Sequence, residues 1–518
     1  MPAKMDRGFS LAVALCALLA VVFSETSLAA PTYKVELVQI VHRHGARSPL
    51  VPHNETKICG TEFPCGYLNS EGQQMMMNTG KFLRHRYTED ASVVSEPFFP
   101  SDAYNLSISH TRSTDVLRTL QSAVAVLRGL FPYHPAEFPA VHTVENIEDS
   151  LLHSSIVPIL RTRYHYATQE VRRLCDAVLD KRMSFETLQL AAAEVHMQGY
   201  CANYTLRSAC ADVLCDIAHS YQSTGQLEST PVLRQHLSDV CAVTAASSQF
   251  IFSYNASNPV HQKQGAPFYH LSKLLVNNMA LHVNRKKAPT FKLYQYSTHD
   301  TTISPLAASL GDNSLTAMLP PFGTTFIIEL LSAVGGSASS GSWHVRVLRG
   351  HPGVTPSTNF VFALSDFPMR CMDAKHTTYI ADDNVCPLAD FERFVASTAP
   401  TSEMGTCYLD PNLYGRMDCP LDAVGDNRSL SADCLVYRKQ CPRFACGTGY
   451  YLDAVDYGCR RIKSGENVIN PPGMSRGGIA CLLIVLFIAG AAAGVAGVTI
   501  RKRFVKSKGE QVVVEDFD

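Results

Sequence analysis

The chain is short of charge. Only 18% of its 518 residues are Asp, Glu, Lys or Arg, and 45 basic residues are balanced by 46 acidic ones for a formal net charge of -1. No overall field exists to hold nucleic acid or an anionic surface, so chemistry on anions has to be built locally. A lack of apolar residues, which would leave the chain unable to order itself, does not apply: 46% are hydrophobic, and the length suffices for two or three domains with a large core. Internal repeats are absent. So is any C-x2-C pair among the 17 cysteines, which removes the usual spacing of a structural zinc site. Seventeen thiols suit an oxidising compartment, and their odd number means that they cannot all pair.

Long apolar runs are confined to the two ends. Lys4 and Arg7 precede a run from Phe9 to Phe23 and then Ser27-Leu28-Ala29, the order of a secretory signal peptide over residues 1–29. Gly477 to Ile500 is 24 residues without a charge, long enough as a helix to cross a bilayer. Arg501, Lys502, Arg503, Lys506 and Lys508 follow, which by the positive-inside rule holds residues 501–518 in the cytosol. The expectation is a single-pass type I membrane protein with its main part extracellular or luminal, at the cell surface or in the endosomal and lysosomal system. The tail has no tyrosine and so no tyrosine-based sorting signal. Five Asn-x-Ser/Thr sequons, at Asn54, Asn105, Asn203, Asn255 and Asn427, all fall on the side where glycans are added.

Setting aside Cys16 and Cys481 at the two ends, six cysteines crowd into residues 401–465: Cys407, Cys419, Cys434, Cys441, Cys446 and Cys459. This reads as a stalk-like module closed by up to three disulfides. The other nine, Cys59, Cys65, Cys175, Cys201, Cys210, Cys215, Cys241, Cys371 and Cys386, leave at least one thiol unpaired within residues 31–400.

Over residues 31–400 strand and helix patterns alternate. Tyr33 to Val41 is a β-branched, apolar strand ended by His-Gly, and Phe291 to Ser297 is another, ended by Thr-His-Asp. Leu117, Leu120, Val124 and Leu127 have helical spacing, which puts Ser113 to Asp115 at the N-cap and first turn. Residues 140–255 read as mostly helical, with stripes at Val171, Leu174, Val178 and at Phe185, Leu188, Ala192. Phe326 to Leu331 and Trp343 to Leu348 form a late strand pair across a Gly/Ser-rich link. The fold class expected is α/β, a mainly parallel sheet flanked by helices with a helical insertion.

In such sheets ligands bind beyond the carboxyl ends of the strands. The first strand ends in Arg43-His44-Gly45-Ala46-Arg47-Ser48-Pro49 and the second in His299-Asp300. Two guanidinium forks on a turn where glycine admits close backbone approach suit a dianion such as a phosphoryl group. An imidazole beside it can attack phosphorus to give a phosphohistidine.

Arg43 to Pro49 resembles the RHGxRxP signature of the histidine acid phosphatases, and His299-Asp300 their distal HD pair. Five fixed positions would arise by chance in such a chain with a probability on the order of 10⁻⁴. Glu71-Gly72-Gln73 through Gly80 with Leu83 to Tyr87, Arg112 to Asp115 with Arg118-Thr119, and Pro320 to Gly323 with Glu329 are similar to further segments of that family, in order. The resemblance implies a histidine phosphatase fold over residues 33–390. It implies His44 as nucleophile, Asp300 as proton donor to the leaving alcohol, and Arg43, Arg47, Arg112 and His299 as phosphate ligands. No metal and no cofactor are implied. An aspartic acid near its usual pKa of about 3.9 would make such an enzyme favour acid. The implied activity is an acid phosphatase acting on small phosphomonoesters and extending to phosphoproteins, with no nucleic acid partner and a homodimer as the family's assembly. Phytase-like or inositol-polyphosphate phosphatases share the signature and form the enzymatic alternative. A surface binding or adhesion protein on a phosphatase scaffold is the alternative of another class.

Overall fold

The computed structural model describes residues 33–133, 138–284, 291–334, 343–410, 415–421 and 430–462. It divides into two compact units: Met1–Pro420 with Val424–Ala445, and Leu421–Ala423 with Cys446–Asp518. In the first unit a seven-stranded sheet has the order β2-β3-β1-β4-β5-β6, with β9 also paired to β5. Its strands are β1 (Tyr33–Arg43), β2 (Ser109–Ser113), β3 (Leu293–Thr298), β4 (Thr325–Ala333), β5 (Trp343–Pro352), β6 (Phe362–Ser365) and β9 (Val385–Pro387). A separate hairpin joins β7 (Arg370–Met372) and β8 (Thr378–Ile380).

The sheet is mixed rather than mainly parallel. Only β1 with β3 and β2 with β3 run parallel, while β4, β5, β6 and β9 pair antiparallel. The link between β4 and β5 is too short for the crossover a parallel pair requires, so the two return on each other. The strand and helix expectations otherwise fall where the sequence placed them, within a few residues.

β1 is central, and covering by helices on both faces explains its nearly continuous apolar run. Its residues still alternate. Leu37 and Val41 pack with α8 (Tyr269–Asn284) and α9 (Asp300–Ser309). Val38 and Ile40 pack with α1 (Ser70–Thr88) and α2 (Leu117–Leu130). The parallel register sets Arg43 beside Thr298 and Ser113 beside Ser297. Three strand ends therefore open side by side, and His44 and His299 leave the sheet as neighbours.

The insertion has its own core, built on α4 (Thr168–Asp180), α5 (Phe185–Glu194), α6 (Arg207–Thr224) and α7 (Leu237–Phe252). Cys201–Cys210 and Cys215–Cys241 cross-link it. On α4 the buried face runs through Cys175 and Leu179, while Leu174, expected in the stripe, is exposed. The phase differs by one position because a cysteine, small and apolar, takes the inward place.

The six clustered cysteines pair among themselves as Cys407–Cys441, Cys419–Cys434 and Cys446–Cys459. Cys59–Cys65 and Cys371–Cys386 account for four of the rest, and Cys175 is the free, buried thiol. The segment read as one module divides. Its first two disulfides lie in the larger unit, where Asp433 on α10 (Ala432–Gln440) accepts from Arg161 and from the Tyr166 hydroxyl of α3 (Pro158–Tyr166), both at 2.6 Å. The third closes a small hairpin of β10 (Tyr450–Leu452) and β11 (Cys459–Arg461) in the second unit. Asn54, Asn105, Asn203 and Asn255 are exposed. Residues 1–29, Asn427, 477–500 and 501–518 lie outside the described residues, among which no helix is long and apolar enough to cross a membrane.

Candidate active site

The loop after β1 is fixed by backbone contacts. The His44 N–H donates to the Thr298 carbonyl at 3.0 Å, the Gly323 N–H to the His44 carbonyl at 3.0 Å, and the Arg43 N–H to the Thr324 carbonyl at 2.8 Å. Gly45 then passes against the first turn of α1. A Cβ on Gly45 would sit 2.2 Å from the Gly72 carbonyl oxygen, and one on Gly72 1.9 Å from that of Ala46. Two motif glycines are thus required by one close approach of backbones. Ser122 of α2 completes the anchor by accepting from the Gly45 N–H at 3.1 Å.

His44 is 2% exposed. Its Nδ1 lies 2.8 Å from the Gly45 carbonyl oxygen. A carbonyl only accepts, so Nδ1 carries the proton and the lone pair is on Nε2. Burial, reinforced by Arg118, Arg43, His299 and Arg47, holds its pKa well below the usual 6.5, so the ring stays neutral in acid.

Arg43 and Arg47 come together here. Arg43 donates to the Pro320 carbonyl at 2.6 Å, stacks 4.4 Å from the Phe322 ring centre, and pairs with Asp300 at 2.6 Å. Arg47 is gripped by Asp216 of α6 in a two-pronged bond of 3.0 and 2.6 Å. The same carboxylate accepts from the Leu50 N–H at 2.7 Å.

Arg112 does not join them. It lies on β2 rather than at a helix start, and its guanidinium is held 2.5 Å from buried Asp149, away from the cavity. α2 begins only at Leu117, behind Val116 as N-cap, because Val116 is extended and Thr114 to Val116 serve as connector. The third arginine is Arg118, in the first turn of α2, which lines the cavity with His44, Arg47, His299 and Asp300. Its guanidinium lies 3.3 Å from His299 Nδ1, and burial beside Arg47 lowers its pKa to about 10. The sequence quotes Arg118 within the same motif. The signal that separates it from Arg112 is helical phase: Arg118 and Ser122, four residues apart, share the face that touches the Gly45 loop. The Nε–H groups of Arg43, Arg47 and Arg118 are buried without a hydrogen-bond partner. The same holds for Arg112 Nε, so position marks the site: Arg47 and Arg118 line the cavity with His44, and Arg43 pairs with Asp300 there, a concentration of positive charge that an anion satisfies.

His299 is buried, with Nε2 2.9 Å from the Thr114 hydroxyl and its ring centre 5.5 Å from that of His44. Asp300 follows at the start of α9, its side chain 37% exposed to the cavity. Burial would raise its pKa, but Arg43, Arg47 and His299 outweigh that and hold it at about 2. In the free enzyme Asp300 is therefore held below the ordinary value of about 3.9 on which the expected acid preference rested. The cavity, about 450 Å³, runs from this cluster to the insertion. Asp216, contributed by the insertion, is the positioning group that sequence reading missed, since no motif marks it. One His/Cys cluster among the described residues has metal-ligand spacing, Cys215, His219 and Cys241, but its two sulfurs are bonded to each other.

A neutral, oriented imidazole between arginines, with a carboxyl across the cavity, defines a phosphoryl-transfer site in an α/β protein. The chain belongs to the histidine phosphatase superfamily (branch 2), whose family model matches residues 34–349. It is 26% identical over 391 residues to the lysosomal acid phosphatase of Xenopus laevis, covering 73% of this chain and 80% of that protein. With human prostatic acid phosphatase it shares 27% over 316 residues, covering 57% and 74%. Among solved structures, the phytase of Citrobacter braakii superposes with a TM-score of 0.49 at 15% identity, over 70% of this chain and 98% of that one.

Proposed function

We propose that the protein is an acid phosphatase that hydrolyses phosphate monoesters through a phosphohistidine on His44. The observation that carries this is a His44 whose Nδ1 is spent on the Gly45 carbonyl, in one cavity with Arg47 and Arg118 and within the electrostatic reach of Arg43. Arg43, Arg47, Arg118 and His299 hold the phosphoryl oxygens and stabilise their charge as the transition state forms. Nε2 bonds to phosphorus as the P–O bond to the alcohol breaks, and Asp300 supplies that oxygen's proton. Asp300, now a carboxylate, takes a proton from water as it attacks phosphorus, cleaving the P–N bond and releasing phosphate. The proton on Asp300 arrives with substrate. A bound dianion offsets the arginines that otherwise keep the carboxyl ionised, raising its pKa in the complex.

A polyphosphorylated substrate would need cations beyond this cluster. The one arginine lining the rest of the cavity, Arg161, is already paired with Asp433, and Asp212 adds a carboxyl there. This favours simple monoesters over phytate. The uncharged run 477–500, the basic residues after it and the sequons support a membrane-anchored enzyme with its site extracellular or luminal. The test is hydrolysis of p-nitrophenyl phosphate near pH 5, with trapping of an acid-labile, base-stable phosphoenzyme. His44→Ala should lower kcat/KM by ~10⁴-fold or more and abolish the trapped species. Equal activity in both proteins refutes the mechanism.

A further inference from the structure

We infer that the leaving group is a neutral, hydroxyl-bearing one, a sugar or polyol, read by Asp212 and a hydroxyl face of α7. This rests on the phosphatase reading and specifies its substrate class. Beyond the phosphate cluster the cavity is walled by the insertion. On α7, Thr244, Ser247 and Ser248 line it at helical spacing, followed on the same face by Ile251 and Phe252. From α6, Asp212 enters the cavity one turn before Asp216. The two carboxylates have different duties. Asp216 is spent on Arg47, whereas Asp212 accepts from the Thr244 hydroxyl at 2.7 Å through Oδ1 alone.

A ring with hydroxyl edges and C–H faces matches this wall. Asp212 accepts from a hydroxyl, the α7 hydroxyls both donate and accept, and Leu160, Met318 and Leu319 with Phe252 offer apolar surface to the ring face. An ammonium group would donate to Asp212 and to the hydroxyl oxygens, but it accepts nothing, so the serine hydroxyl protons would gain no acceptor from it, and it would enter a cavity already lined by Arg47 and Arg118. A second phosphate would face Asp212.

The test uses the full-length protein and two primary alkyl phosphates of similar size, glucose 6-phosphate and cyclohexylmethyl phosphate, which has no hydroxyls. The unmodified enzyme should favour the sugar phosphate by about tenfold or more in kcat/KM. Asp212→Ala should cut that ratio at least about fivefold, mainly through KM for the sugar phosphate, and Ser248→Ala should cut it less. The ratio is taken within one preparation, so a variant that folds incompletely still reports, because active fraction cancels. Equal use of both substrates, or a ratio that neither substitution changes, overturns the inference and leaves the phosphatase reading standing. A preference for O-phosphoethanolamine over both, lost in Asp212→Ala, overturns it in favour of a cationic leaving group. Failure to hydrolyse p-nitrophenyl phosphate as well removes both readings.

Discussion

At the sheet end of the cavity, His44 and His299 leave paired strands whose register and backbone hydrogen bonds determine where each ring goes. At the other end, Asp212, Asp216 and Thr244 project from two helices inserted between β2 and β3, and these helices grip the cluster through the fork of Asp216 on Arg47. Chemistry sits on the part that the main chain fixes, while recognition sits on a lobe with a core of its own. Damage at the first end should remove turnover. Damage at the second should change what is turned over, or how well phosphate is gripped.

The sharpest way to break that comparison is at the two arginines of one motif. Arg118→Ala removes a guanidinium from the developing charge and should cost roughly 10²–10³-fold in kcat/KM. Arg112→Ala should stay within about threefold per folded molecule and show its effect as lower stability, since Asp149 is left buried without its cation. Steady-state kinetics with p-nitrophenyl phosphate and thermal melts of both variants decide it. A large kinetic loss in Arg112→Ala with Arg118→Ala nearly unaffected would restore the assignment read from the sequence.

Asp216→Asn tests the fork between the two ends. The amide keeps the shape but loses the charge that sets Arg47, and a charged hydrogen bond of this kind is worth about 1.5–3 kcal/mol, or roughly 10–100-fold. The loss should fall on kcat/KM for every monoester alike, in contrast to Asp212→Ala. A substrate-dependent loss would place Asp216 in recognition rather than in positioning.

What could be read in the sequence follows the same division. The sheet end announces itself because glycine, histidine and arginine are each demanded at a fixed step along one loop, as the Gly45 and Gly72 contact shows. Arg118 was visible but not distinguishable from Arg112 without knowing that α2 starts at Leu117 and that Arg112 is still in a strand. Asp216 and Asp212 were silent, since acidic residues on a helix look like solvated ones until the facing element is known. The free thiol was confined to nine cysteines by counting alone, but its identity as Cys175 depended on which pairs the insertion brings together.

The smallest effect expected is a shift of one limb of the pH profile, and it isolates the electrostatics of the sheet end. In the free enzyme Asp300 is a carboxylate above about pH 2, and burial among cations shifts His44 well below 6.5, toward the neutral ring. Productive binding needs one proton between the carboxyl and the phosphate, so ionised enzyme must meet monoanionic substrate. Raising the pH through the substrate's second pKa, about 6, removes that monoanion, and kcat/KM should then fall about tenfold per unit. A substrate whose second pKa is about one unit lower should move this alkaline limb down by about one unit, with no acid limb from Asp300 appearing as far down as about pH 3. An alkaline limb indifferent to the substrate would mean that a group on the enzyme sets it, and an acid limb near 4 would mean that Arg43 does not hold Asp300 ionised as the 2.6 Å pair requires.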